Sequence, residues 1–237
     1  MLDSSFYSHI RKVKFCAQVE TISVLFTVAF FIFALGTWTY NRLVSAFCAV
    51  ITIASLVSML YCSRFERNTD APNALYAIPL NAMRLEDIVR ILSGKKLDDD
   101  SYVSFLMSGG VTVRLYIQSM PHFIPADLVK KKKRANLLIN RIYQVKTEAP
   151  LFEIASSLRI TLLVCEDKND ELVRWIARDT GRLLSRAESI VNAAVVLSDG
   201  TLLFPACPFG VSPNEVKRYL VGIELLVQQL GFDNSCQ

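Results

Sequence analysis

The sequence predicts an α+β membrane protein: an N-terminal two-helix transmembrane hairpin, followed by a soluble α/β domain carrying a duplicated β-α-β-β-α unit. Three observations predict it. Apolar residues make up 52% of the 237 residues and charged residues only 20%, where a soluble domain is nearer a quarter charged. The apolar excess is concentrated in two uncharged runs, Thr21–Asn41 and Leu43–Ser63. Beyond them the pattern changes to short strands and amphipathic helices whose order recurs.

Each uncharged run is about 20 residues, roughly 30 Å of helix, which matches the hydrocarbon core of a bilayer. A buried hairpin of a soluble core is the alternative, but two adjacent uncharged runs of this length are rare in water-soluble folds. A cleavable signal peptide would end its apolar region in a small-x-small site. Here the first run ends in Thr37-Trp38-Thr39-Tyr40 and a second run follows at once. Trp38, Tyr40 and Tyr61 fall at span ends, where amphipathic rings prefer the headgroup layer. Ala29, Ala34 and Gly36 on one run, and Ala46, Ala49 and Ala54 on the other, permit close helix packing.

So few residues join the runs that the helices must be antiparallel, with both flanks on one side of the membrane. Arg11, Lys12 and Lys14 precede the first run and Arg64 and Arg67 follow the second, against Arg42 alone in the turn. The positive-inside rule then puts both termini on the cytoplasmic side, or its organellar equivalent. No charge lies inside either run, which argues against a transporter or proton relay. The expected organisation is a tail over 1–18, the hairpin over 19–63, a polar connector over 64–72, and a soluble domain over 73–237 with halves 73–150 and 151–237.

Within that domain Ala74–Leu80 reads as a strand and Leu85–Leu92 as a helix stopped by Gly94. Tyr102–Met107 and Val111–Gln118 form a hairpin around Ser108-Gly109-Gly110, where glycines supply positive φ. Pro125 opens a helix to about Val145. Leu158–Cys165 is an apolar, β-branched strand. Asn169 or Asp170 caps a helix reaching towards Arg186. Val191–Leu197 and Thr201–Ala206 form a second hairpin around Ser198-Asp199-Gly200. Ser212, Pro213 and Glu215 make the capping box of a last helix, closed by Gly231.

This is strand, helix, hairpin, helix, said twice. Glu86-Asp87-Ile88-Val89-Arg90 aligns with Asp170-Glu171-Leu172-Val173-Arg174, and Pro125 with Pro213. At that spacing Leu128, Ala135, Leu138, Ile139 and Ile142 fall on Val216, Ile223, Leu226, Val227 and Leu230, the apolar stripes of both helices. The halves would share one sheet with helices on one face, or form two similar lobes.

The six cysteines, Cys16, Cys48, Cys62, Cys165, Cys207 and Cys236, form no C-x-x-C pair, and no zinc site is expected. Cys165 and Cys207 read as small buried hydrophobes, and Cys16 and Cys62 stand where juxtamembrane palmitoylation occurs. His122 reads as a loop histidine, Asp98-Asp99-Asp100 as a solvated turn, and Glu166-Asp167 as a polar loop at a strand's carboxyl edge. Neither G-x-S-x-G nor H-E-x-x-H occurs. No catalytic, cofactor-binding or metal-ligating residue is therefore assigned.

The one surface singled out is the basic run Lys130, Lys131, Lys132, Lys133 and Arg134. It is expected to contact the membrane surface or a partner, at roughly 1 kcal/mol per charge on an anionic bilayer. Nucleic acid is not an expected partner: the net charge is only +4, and no aromatic platform accompanies the run. The expected partners are the lipid bilayer and a membrane protein or a second copy of the chain. The functional expectation is a non-catalytic, membrane-anchored interaction module: an accessory subunit, assembly factor or scaffold. A small-molecule-sensing domain is the alternative, and an enzyme with an unrecognised site the third.

Overall fold

The structure, a computed structural model, describes residues 2–37, 41–68, 75–80, 83–131, 134, 138, 157–183, 189–207 and 211–231. Two N-terminal helices, α1 (Ser4–Thr37) and α2 (Arg42–Asn68), precede a mixed α+β domain. There follow β1 (Leu75–Pro79), α3 (Leu85–Ile91), β2 (Lys95–Asp98), β3 (Ser101–Ser108) and β4 (Val111–Ser119). Next come α4, described over 125–131, then β5 (Ser157–Cys165), α5 (Asp170–Leu183), β6 (Ser189–Val196), β7 (Thr201–Pro205) and α6 (Pro213–Gly231).

Both α1 and α2 are long and apolar enough to cross a membrane. They pack side by side, and the Ser45 hydroxyl donates to the Ala34 carbonyl at 3.2 Å. Outward side chains such as Phe31, Ile32, Phe47, Val50 and Ile53 are exposed. Trp38 and Tyr40 lie outside the described residues, as does the connector from residue 69 onward. Residues 65–68 continue α2. Cys16 and Cys62, whose juxtamembrane positions would suit acylation, are only 6% and 4% exposed. α1 and α2 pack against each other along the hairpin, and both thiols are buried.

The seven strands make one sheet in the order β1-β7-β6-β5-β4-β3-β2. β4, β5 and β6 run parallel and the other pairings are antiparallel. β5 and β6 are central and covered on both faces, which is why they read as near-continuous apolar runs. Gly109 (φ +54°) and Gly110 (φ +75°) carry the left-handed turn between β3 and β4. At the end of α3 the left-handed residue is Ser93 (φ +52°). Gly94 serves by close approach instead, since a Cβ there would sit 3.1 Å from Val89 Cγ1.

Helices cover both faces. One face, with Val113, Leu115, Leu158, Ile160, Val191 and Val195, packs against α6, α3 and the first turns of α1. The other, with Leu163, Cys165, Ala194 and Val196, packs against Leu128 of α4 and Leu172 and Ile176 of α5. The expected placement of helices on one face is therefore corrected. An apolar stripe says that a helix buries a face, not which side of the sheet it buries it against. The expected element order recurs only in part: β2 adds a strand before the β3–β4 hairpin, and β5 lies parallel beside β6 whereas β1 pairs with β7 at the edge.

The caps follow from sequence. Asn169 Oδ1 accepts from the Leu172 N–H at 2.7 Å. Ser212 N–H donates to Glu215 Oε2 at 2.6 Å, with Glu215 N–H returning to Ser212 Oγ at 3.4 Å. Edge strand β2 was not expected. Lys95-Lys96-Leu97-Asp98 has no apolar alternation, and charged residues are how exposed edges avoid further pairing.

Candidate functional site at the two ends of the sheet

The segment expected as an N-terminal tail is helical from Ser4 and belongs to the core. Asp3 starts it: its carboxylate accepts the Phe6 N–H at 2.8 Å. That bond, with the Ser5 hydroxyl, holds the Asp3 carboxyl below its ordinary range. Phe6, Ile10, Val13 and Ala17 then recur at spacings of four and three, one stripe of a helix, and all four are buried. Phe6 is fully buried among Tyr76, Phe204 and Tyr219, with ring centroids at 5.2, 5.9 and 6.5 Å. Tyr7 donates to Glu224 Oε1 at 3.0 Å, and His9 Nε2 donates to the Cys207 carbonyl at 2.8 Å. At about 1.5 Å per residue α1 is about 50 Å long, some 20 Å more than a hydrocarbon core needs. The excess is the part docked on the sheet.

α1 advances from Phe204 at Phe6 to Cys207 at His9. It therefore leaves the domain at the end where β7 stops, which is also where β4, β5 and β6 begin. The opposite end of the sheet carries the carboxylates: Asp98–Asp100 in the β2–β3 turn, Glu166 and Asp167 after β5, and Asp199 in the β6–β7 turn.

The basic run lies at this acidic end. Lys131 Nζ is 3.0 Å from Asp100 Oδ2, and Arg134 Nε is 3.0 Å from Asp98 Oδ2. With Asp99, Ser101 and Lys130 they line a groove of about 280 Å³. Lys132 and Lys133 lie outside the described residues. Asp98–Asp100, expected as a solvated turn, is thus partly neutralised by the run. Beside Lys130, Ile124 and Val129 are 49% and 56% exposed. These two residues were missed, although their apolar side chains flank Pro125 and the basic run in sequence.

A second cleft of about 380 Å³ opens at the carboxyl ends of β4 and β5, lined by residues that include Arg84, Glu86, Ser119 and Glu166. Close by, His122 Nδ1 stands 4.0 Å from Asp167 Oδ2, both side chains largely exposed. Ser101 of the first groove and the buried Tyr116 donate through Oγ and Oη to Gln118 Oε1 at 2.8 and 2.5 Å. Burial pushes the Tyr116 phenol up.

The thiols are placed for packing. Cys165 and Cys207 are fully buried. Burial pushes the Cys165 thiol up to about 12, and burial, then the nearby Glu215, raises Cys207 as well. A thiol so raised supplies no thiolate near neutral pH. Among the described residues no group of three or more His, Cys, Asp or Glu is arranged to hold a metal ion.

No protein-family model, curated protein sequence or solved structure matches the chain.

Proposed function

We propose that the chain is a membrane-anchored interaction module, in which α1 and α2 cross a bilayer as a hairpin and the α+β domain presents a contact surface to a protein partner. The reading keeps both termini on the cytoplasmic side or its equivalent, where the basic flanks Arg11, Lys12, Lys14, Arg64 and Arg67 belong. An accessory subunit, assembly factor or scaffold is built this way. The duplicated unit is part of the proposal, as the origin of the recurring element order.

The observation that carries the reading is that one short segment, 124–134, exposes the apolar Ile124 and Val129 as well as Lys130 and the Asp-paired Lys131 and Arg134. Exposed apolar side chains rimmed by charge suit protein contact. The patch sits at the opposite end of the sheet from the exit of α1. That favours a protein over the chain's own bilayer as the partner of the basic run.

Gentle detergent extraction, in-membrane crosslinking and mass spectrometry test it. A stoichiometric membrane partner, or a second copy, crosslinked through the 124–134 region is the expected result. A chain recovered alone and monodisperse after efficient crosslinking overturns it and shifts weight to ligand sensing or catalysis.

A further inference from the structure

The β3–β4 turn projects from the same end of the sheet as α1. The register shows it. Leu203 is level with Ala194, Ala194 with Leu163, Leu163 with Gln118, and Gln118 with Ser101. Four residues beyond Leu203 the chain reaches Cys207, where His9 bonds. Beyond Ser101, β3 runs on to the turn at Gly109-Gly110, at the end of the sheet where β7 stops and β4 and β5 begin.

The first uncharged residue of the α1 span, Thr21, is twelve residues past His9, about 18 Å along the helix. A headgroup layer about 6 Å deep therefore begins about 12 Å past that same level. The turn projects on that same side of the domain.

The turn is also close to the anchor sideways. A Cβ on Gly109 would lie 3.6 Å from Val221 Cγ2 of α6, and Glu224, less than one turn along α6, is the residue that Tyr7 of α1 bonds. The chemistry of the turn suits a lipid surface. Met107 is 78% exposed and Phe105 41%. Phe105–Arg114 contains no Asp or Glu, in contrast to the acidic opposite end. Glu215, the nearest helix-cap carboxylate, is occupied by the Ser212 N–H. A flexible thioether packs against disordered acyl chains without a preformed partner, and glycines let the backbone approach closely.

We propose that the β3–β4 turn, led by Met107, dips into the headgroup layer of the membrane that α1 and α2 cross, giving the domain a second lipid contact beside its helical anchor. The proposal rests on the two-span reading. The domain is then fixed in tilt as well as position, with its acidic end and the 124–134 patch turned to the aqueous phase.

Photolabelling tests it. The full chain is reconstituted into phosphatidylcholine–phosphatidylglycerol vesicles containing a lipid with a diazirine near the acyl carbonyl, and adducts are mapped by mass spectrometry. Adducts on the spans and on 105–110, with none on Ile124 or Val129, are expected, and Met107→Glu should remove the turn adducts while leaving those of the spans. Labelled spans with an unlabelled turn overturn the proposal and leave the two-span reading standing. Equal labelling of the turn and of Ile124 and Val129 overturns the orientation. Unlabelled spans overturn the two-span reading itself, and this proposal with it.

Discussion

The ring of Phe6, near the start of a helix long enough to span a bilayer, stands edge-on to the ring of Phe204 in β7, centroids 5.9 Å apart at 81°. One side chain thus belongs both to the long apolar helix and to the core of the sheet. The domain is joined to the hairpin by packing, through Phe6, Tyr7, His9, Ile10 and Val13, and the connector after α2 is a second attachment.

Replacing Phe6 by Ala should therefore act on the domain, not merely on a tail. Removing a fully buried aromatic side chain costs about 3–5 kcal/mol. Denaturant titration of the domain's Trp175 fluorescence should show the loss. Limited proteolysis should find a new site between the α1 docking turns and Thr21.

Gly222 of α6 faces β5 so closely that a Cβ would lie 2.0 Å from Leu158 Cδ2. Gly222→Ala must push Leu158 aside in a filled core, at about 1–3 kcal/mol. A variant of unchanged stability would mean that α6 sits further from the sheet than described.

Asp98→Asn with Asp100→Asn frees Lys131 and Arg134. These pairs are substantially exposed, so the loss of stability should stay within about 1 kcal/mol. The effect belongs to binding. If a partner is acidic, release of the two cations should strengthen its capture, most clearly at low salt; unchanged capture would remove the basic run from the interface.

The pH dependence of Cys165 has a definite sign. Burial raises its thiol from an ordinary 9.0 to about 12. The folded chain then holds a proton that the unfolded chain releases, so this contribution is complete below the unfolded value and is lost as pH rises through the folded one. Stability should fall from about pH 9 upward, less steeply in Cys165→Ala. In the native chain Cys165 should resist thiol reagents that modify it rapidly once unfolded.

Much of this was legible in sequence, and the misses have physical causes. The two hairpins, the Asn169 and Ser212 caps and the apolar runs announce themselves through local chemistry: glycines at positive φ, side-chain oxygens before helices, uncharged stretches. The tail was misread because Glu20, with Arg11, Lys12 and Lys14 before it, bounds the uncharged run, and the helix was taken to begin with that run. The stripe Phe6, Ile10, Val13, Ala17 was present at helical spacing and passes between those charges. β2 was illegible because Lys95 and Lys96 are held in a strand only by pairing with β3. The meeting of Lys131 with Asp100 and of Arg134 with Asp98 is tertiary, some thirty-odd residues apart, and no local pattern encodes it. The same holds for the exposure of Met107 at the end of the sheet where α1 leaves.

The most direct test of the account is a pulsed-EPR distance measurement between spin labels at Arg11 on α1 and Lys217 on α6, both exposed, in the lipid-reconstituted full chain. Docking of α1 on the sheet predicts a single narrow distribution that broadens in Phe6→Ala. A broad distribution in the unaltered chain would contradict the account, because it would mean that the domain hangs from the hairpin on a tether.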